Sequence, residues 1–290
     1  MQGILLVDKP SGWTSFDVVN YVRKLARQAA LVESYKVHKA ESGDTLDFQT
    51  FKLSTRLPKV KVGHTGTLDP LATGLLVLLV GKEYTRKATE LTKLDKTYEV
   101  TMKLGETSTT GDEEGEKTVT FHALHLPPDG GASRSGSAQG SPPRPADAPF
   151  ASAQKAVHGT VPGEKAVLEA LESLQGHIMQ TPPVYSAMKI NGQRAYKLAR
   201  AGKEVALEAR PVTIYKNELT SYDYPYVKFT SDVGSGTYIR SLVEDLGKLL
   251  KTGAYMSDLR RTRVGQFDIQ GAITIEGLTE AVLEKSLQPL

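Results

Sequence analysis

The chain predicts an α+β fold with a mixed, mostly antiparallel central sheet flanked by helices. Strand-length segments recur along it, among them "GILLVDK" from Gly3, "LLVLLV" from Leu75 and "KTYEVTMKLG" from Lys96. Helical periods fall between them, at residues 16–25 and again at 235–250. The two patterns do not alternate strictly, as a parallel doubly wound sheet would require.

In chain order, residues 3–9 read as a buried strand closed by the Pro10-Ser11-Gly12 turn. Ser15 then caps a helix whose apolar positions Phe16, Val19, Val22 and Leu25 keep helical spacing. From about 31 to 58 the pattern dissolves, which predicts a polar insert. Residues 75–80 do not alternate and predict a strand buried on both faces. A polar helix is expected around 84–94, then the strand 96–105 with 119–121 as its hairpin partner. The Gly/Ser/Pro/Ala tract from Pro127 cannot bury enough apolar surface to offset its ordering entropy, so a disordered insert is expected at about 127–160. An amphipathic helix comes next, stopped by Gly176, and Asn191-Gly192 signals a hairpin. Residues 212–222 and 226–233 alternate as strands, and 235–250 form a helix with Leu242, Leu246 and Leu249 inward. Residues 256–267 read as the last strand, and a closing helix is capped by Thr274. The organisation expected is one domain over 1–275 carrying the two inserts, then a C-terminal helix at 276–290.

Composition excludes several classes. The chain has no cysteine, so disulfides and thiolate metal sites are absent. The start "MQGILLVDKP" meets Asp8 too soon for a signal peptide, and "LLVLLV" falls far below the roughly 20 apolar residues of a membrane span. A cytoplasmic protein with no membrane association is expected. Net charge is only +3, but basic residues cluster at Lys59 and Lys61, from Lys189 to Lys203, and at Arg260, Arg261 and Arg263. Converging clusters could follow a phosphate backbone; charge alone slightly favours solvated helix faces. Gly81-Lys82 is followed by Glu83, which rules out a P-loop, and the Gly234 stretch lacks the third glycine of a dinucleotide fingerprint. No Gly-x-Ser-x-Gly elbow occurs, and His122 with His125 reads as a surface pair. The chemistry left is that of carboxylate, tyrosine, arginine and lysine.

One segment stands out. "GHTGTLDPLATGLL" surrounds a single carboxylate, Asp69, with turn-forming residues. Pro70 restricts the backbone of Asp69, and Gly66 and Gly74 permit tight turns on either side. Such a loop holds a carboxylate rigidly at the end of a strand. "DPLATG" also suits a helix N-cap with proline at the first position, and the two roles are compatible.

This segment resembles the signature loop of the TruB family of tRNA pseudouridine synthases. Further segments resemble the family in the same order: "GILLVDKPSGWTS", "DKTYEV", "TTGDEEG", "PPVYSAMKINGQRAYKLARAG", "ARPVTIY", "SGTYIRSLVEDLG" and "LRRTRVGQF". The resemblance implies the pseudouridine synthase fold and a cofactor-free, metal-free isomerisation of the T-loop uridine, position 55, in the T-arm of tRNA. It implies that Asp69 is the essential residue, as nucleophile on the sugar or as a base opening a glycal route. It implies that Arg240 pairs with Asp69 and keeps it ionised, and that Tyr98 stacks on the flipped uracil. Tyr238 and Leu259 match substrate-binding positions, and His64 matches a residue that fills the space left by the extruded nucleotide. Asp112 is assigned to structural support. Lys9, Lys189 and the arginines around Arg260 are expected to contact phosphates. The chain is expected to act as a monomer, without a separate C-terminal PUA-type RNA-binding domain. Two rival readings stay open: a catalytically silent tRNA-binding or tRNA-folding module, and a guide-dependent pseudouridylase subunit.

Overall fold

In the computed structural model the described residues are 1–42, 47–55, 58–123, 157–186, 188–190, 192–202 and 206–290. The apolar and alternating segments assemble into one ten-stranded sheet. Its strands are β1 (Gly3–Lys9), β2 (Val62–His64), β3 (Thr73–Val80), β4 (Lys96–Leu104), β5 (Gly176–Gln180), β6 (Arg210–Asp223), β7 (Tyr226–Val233), β8 (Ala254–Val264), β9 (Phe267–Asp268) and β10 (Ile273–Thr274). The spatial order is β10-β1-β3-β8-β4-β7-β6-β5, with β2 added to β3 and β9 to β8. All pairings in this sheet are antiparallel except β1 with β10 and β3 with β8. The α+β expectation holds.

The β3–β8 junction lies beside the loop that carries Asp69. It is short, pairing only Thr73 with Arg260 and Gly74 with Arg261. Gly74 has φ +99°, and a Cβ there would lie 2.3 Å from the Arg261 carbonyl oxygen, so no other residue fits. On one side of this junction β1 and β3 pack under helices α1 (Ser15–Ser42) and the closing helix α5 (Glu280–Ser286). On the other, β4, β6, β7 and β8 pack against α2 (Glu164–Ser173) and α4 (Ile239–Leu249). A short helix, α3 (Ala195–Arg200), follows a two-stranded hairpin, Lys189–Ile190 with Gln193–Arg194. That hairpin turns at Gly192, φ +81°, as the Asn-Gly signal predicts.

Several expectations change. α1 is capped by Thr14, whose Oγ1 accepts from the Asp17 N–H at 3.1 Å while Asp17 accepts from the Thr14 N–H at 2.9 Å. Ser15 points into the protein instead. Phe16, expected inward, is exposed; Val18, Val19, Val22 and Ala26 form the buried face. α1 also runs through Ala30 to Ser42, so the polar insert begins as helix. Tyr35 meets Phe48 and Phe51 of a second short helix, Phe48–Ser54, capped by Asp47, and these three scattered aromatics were too few to register as a period. The polar helix splits into Lys82–Arg86 and Ala88–Thr92. Residues 117–119 pair with Glu106–Ser108 rather than with β4, whose two neighbours are β7 and β8. Residues 124–156, most of the tract expected to be disordered, lie outside the described residues, and Val157–Gly159 is a strand paired with Phe121–Ala123. Leu249 is half exposed. The closing helix starts six residues after Thr274, capped by Thr279.

Candidate active site

The loop joining β2 to β3 carries Asp69, and an unusual number of bonds hold it. Ser15 Oγ accepts from the Leu68 N–H at 2.8 Å and donates to the Leu68 carbonyl at 3.1 Å. The Gly12 N–H donates to the Pro70 carbonyl at 2.9 Å, and Ala72 N–H closes a turn on the Asp69 carbonyl at 3.1 Å. Arg261 is fully buried; its Nε donates to Leu75 at 2.8 Å and its Nη2 to Gly66 at 3.1 Å, both backbone oxygens. Lys9 is 0% exposed and donates to the carbonyls of Trp13 at 2.7 Å, Pro10 at 2.9 Å and Pro70 at 3.1 Å. Lys9 is therefore not placed as a phosphate contact: one bond ties it to the Asp69 loop at Pro70 and two hold the 10–13 turn beside that loop. Burial pushes it down to about 8, although the carboxylate of Asp69 favours its charged form. No helix follows Asp69, so the cap role falls away and the rigidly held carboxylate remains.

Asp69 meets Arg240 at the start of α4. Arg240 Nε lies 3.1 Å from Asp69 Oδ2, and Nη2 lies 3.5 Å from Oδ1. The same guanidinium donates to the carbonyls of Thr110 and Tyr185, each at 2.9 Å, and lies 3.5 Å from Asp112 Oδ2. Arg240 and Asp112 are buried, whereas the Asp69 side chain keeps 34% of its surface open. One guanidinium thus serves two carboxylates. Burial pushes the Asp69 carboxyl above its ordinary range and Asp112 adds to this, while Arg240 and Lys9 pull it back. Arg240 opposes the rise, which is the direction expected of a cation that favours the ionised carboxylate.

Asp69 stands where two cavities meet. The inner one, about 280 Å³, is floored by Tyr98 from β4 and Leu259 from β8, and walled by Tyr238, Arg240 and Asp69. Lys96 and Tyr98 share the buried face of β4, as do Val100 and Met102 further along. Register shifts flank Leu259 and Arg261 on β8, at Met256/Asp258 and Arg261/Arg263; such bulges re-aim side chains beside sites. Tyr238 is positioned through its backbone: Gln180 Oε1 accepts from its N–H at 2.8 Å, and Gln180 Nε2 donates to its carbonyl at 3.1 Å. The outer cavity, about 770 Å³, shares Asp69 and Arg240 and adds His64, Phe16, Asp112, Arg194 and Lys197. His64 Nδ1 accepts from the Gly66 N–H at 3.3 Å. Burial first, and then the charge of Arg261, push its imidazole below the ordinary value, so at neutral pH the ring is uncharged.

The structure brings Asp69, Tyr98, Tyr238, Arg240 and Leu259 around one cavity and sets His64 in the next. Of the remaining candidates, Lys189 lies on the hairpin strand, and its side chain falls outside the described residues. Arg260 is bound to Asp8 at 2.7 and 3.1 Å, Arg261 is buried, and Arg263 pairs with Asp232 at 3.3 Å. Each arginine of the cluster has a protein partner, but only Arg261 is withdrawn from solvent. Lys96, Tyr185 and Gln180 are site residues that sequence reasoning missed, while Ser15 and Arg261 were read in other roles, as a cap and as a phosphate contact. A buried polar residue on an alternating strand, as at Lys96, was the one available signal. Among the described residues no group of three or more His, Asp or Glu could hold a metal ion. Chemically, the arrangement offers a carboxylate fixed beside a permanent cation, facing a small cavity with a phenol and an apolar floor. That suits nucleophilic or acid–base chemistry at a group attached to a planar ring held in the cavity.

Comparison with known proteins shows the family. Residues 52–129 and 150–239 match the TruB family pseudouridylate synthase (N terminal domain), and 240–290 match the tRNA pseudouridylate synthase B C-terminal domain. Similar proteins include tRNA pseudouridine synthase B of Paenarthrobacter aurescens, 37% identical over 99% of this chain and 73% of that protein. That of Aeromonas salmonicida is 35% identical over 99% of this chain and 68% of that protein. Among solved structures, a chain of a Cbf5-Nop10-Gar1 complex superposes with a TM-score of 0.57 at 25% identity, covering 99% of this chain and 60% of that one. A pinned carboxylate loop, an arginine partner and a matching profile over most of the length lead to one conclusion: the chain belongs to the TruB family of pseudouridylate synthases.

Proposed function

We propose that this protein isomerises the T-loop uridine at position 55 of tRNA to pseudouridine, with Asp69 as its essential group and no cofactor. The observation that carries the reading is the convergence of Asp69, Tyr98, Arg240 and Leu259 on one small cavity at the β3–β8 junction. The relatives of similar sequence are named for this class of reaction on tRNA.

In this reading the uridine leaves its stack and enters the inner cavity, its ring on Tyr98 and against Leu259, with Tyr238 bounding the site. The C1′–N1 bond breaks, the freed uracil turns, C5 bonds to C1′, and the C5 proton is removed while N1 gains one. Atoms balance without a co-reactant. Asp69 acts on the sugar as nucleophile or as base, and both routes require it ionised. Arg240 holds the carboxylate in place and favours that state. His64, uncharged and planar, fills the gap left by the flipped nucleotide and recovers part of the few kcal/mol that unstacking costs. The T-arm of tRNA is the partner this site serves, with the protein acting as a monomer. The test is pseudouridine mapping on an unmodified tRNA transcript, wild type beside Asp69→Asn. Product at the T-loop uridine with wild type only is expected; product from the variant, or none from either despite RNA binding, overturns the reading.

A further inference from the structure

We propose that Phe16 is a stacking platform for an unpaired RNA base next to the reacting nucleotide. This rests on the proposed function and adds a binding residue to it. Helical spacing alone assigns Phe16 to the core with Val19 and Val22, but the packing does otherwise. The capping turn at Thr14 commits Ser15 to the Asp69 loop, and the buried face of α1 begins at Val18. Phe16 is left 60% exposed, the most exposed aromatic side chain among the described residues. It does not face open solvent at random. It lines the outer cavity together with His64 and Asp69.

The ring is also supported. The Arg23 guanidinium sits 5.8 Å from its centroid. Arg23 is itself fixed by Asn20 at 2.6 Å and by the Val62 carbonyl at 3.3 Å, two residues before His64 on β2. Phe16 and His64 are thus tied to one another through a single strand. Two exposed cations, Arg194 and Lys197, border the same cavity. An exposed aromatic face beside cations, at the mouth of a cavity holding a reactive carboxylate, is the constellation that grips unstacked bases of single-stranded RNA loops. A lone exposed Phe needs no explanation on an open surface; one built into the wall of the site does.

The experiment uses the full chain with Asp69→Asn, which removes turnover, and measures the Kd of an unmodified T-arm hairpin RNA. Phe16 is then kept or changed to Tyr, Leu or Ala. Stacking predicts that Phe16→Ala and Phe16→Leu weaken binding by about tenfold or more, and that Phe16→Tyr binds as the parent does. The loss should be the same at low and high salt, because stacking displaces no counterions. In the active background the same variants should raise KM and leave kcat at saturating RNA unchanged. Leu restoring binding as fully as Tyr would reduce Phe16 to apolar contact and overturn the proposal, as would unchanged binding with Ala. If the parent itself binds no T-arm RNA, the proposed function falls first and this inference with it.

Discussion

The two cavities that share Asp69 are built in opposite ways. Around the inner one, the cations Lys9, Lys96, Arg240 and Arg261 are buried and donate to backbone carbonyls or pair with Asp69 and Asp112. Around the outer one, cations and an aromatic ring stand exposed. Positive charge therefore has two functions here that composition cannot separate. Inside, it fixes backbone and sets the field at one carboxylate; outside, Arg194 and Lys197 are exposed to solvent. On the proposed function, chemistry falls to the inner cavity and grip to the outer one, and single substitutions can break one side without the other.

The largest effect belongs to Asp69. Asp69→Asn should lower turnover by roughly 10⁴-fold or more while RNA binding persists, measured by single-turnover assay and filter binding. Its stability should move the other way. A carboxyl whose folded pKa is raised stabilises the fold below its unfolded pKa, and that contribution is lost as pH rises through the folded value. Removing the ionisation should raise Tm slightly at neutral pH, with the gain vanishing on acidification. A lower Tm at pH 7 would mean that the ion pair with Arg240 outweighs burial after all.

Next comes Arg261, whose loss touches the scaffold rather than the charge of Asp69. Arg261→Met leaves the Leu75 and Gly66 carbonyls without their donors. A cost of about 2 kcal/mol in urea unfolding is expected, since each unsatisfied buried acceptor costs about 1–3 kcal/mol and shedding a buried charge returns part of it. Arg261→Lys should not restore the fork, because an ammonium cannot reach both oxygens in one plane. An unchanged urea midpoint would show that the loop does not depend on this residue.

How much of the fold and the site was legible in advance depends on which physics sets each feature. Strands such as 75–80 and 226–233 were readable because their burial is written in local period, and the Asp69 loop because glycine and proline leave few conformations open. Phe16 was misplaced because a strict spacing of three drifts by about 60° per step on a helix, so Phe16 and Leu25 lie on opposite sides of α1 while Val18, Val19, Val22 and Ala26 keep one face. Lys9, Arg261 and Gln180 were beyond reach for a different reason. Their partners lie in distant segments, Pro70, Gly66 and Tyr238, so their roles exist only after the sheet has closed. Charge patterning then misleads in a consistent direction: it counts Lys9 and Arg261 as available to RNA when folding has already used them.

A smaller effect tests the field at Asp69. Its raised carboxyl should place the acid limb of the kcat/KM profile above the ordinary carboxylate value of about 3.9. Asp112 contributes to that rise, so Asp112→Asn should move the limb to lower pH. Arg240→Gln removes the main opposing charge and should move the residual activity's limb to higher pH. Shifts of the same sign in both variants would break the assignment of the limb to Asp69.

The smallest effect lies at the outer cavity. Lys197 is exposed on α3 at the edge of the outer cavity, and the proposed function gives it one phosphate to neutralise. Lys197→Ala should weaken T-arm binding only a few-fold near physiological salt and leave Tm unchanged. The discriminating quantity is the slope of log Kd against log salt, which should flatten by about one phosphate's worth, roughly 0.7–0.9. Lys9→Met, by contrast, should lower Tm through the lost Pro10, Trp13 and Pro70 bonds, with binding measured below its own melting point keeping the parent's salt slope. If Lys9→Met flattened the slope and Lys197→Ala did not, the buried lysine would be the one that meets RNA, and the division of labour between the two cavities would have to be reversed.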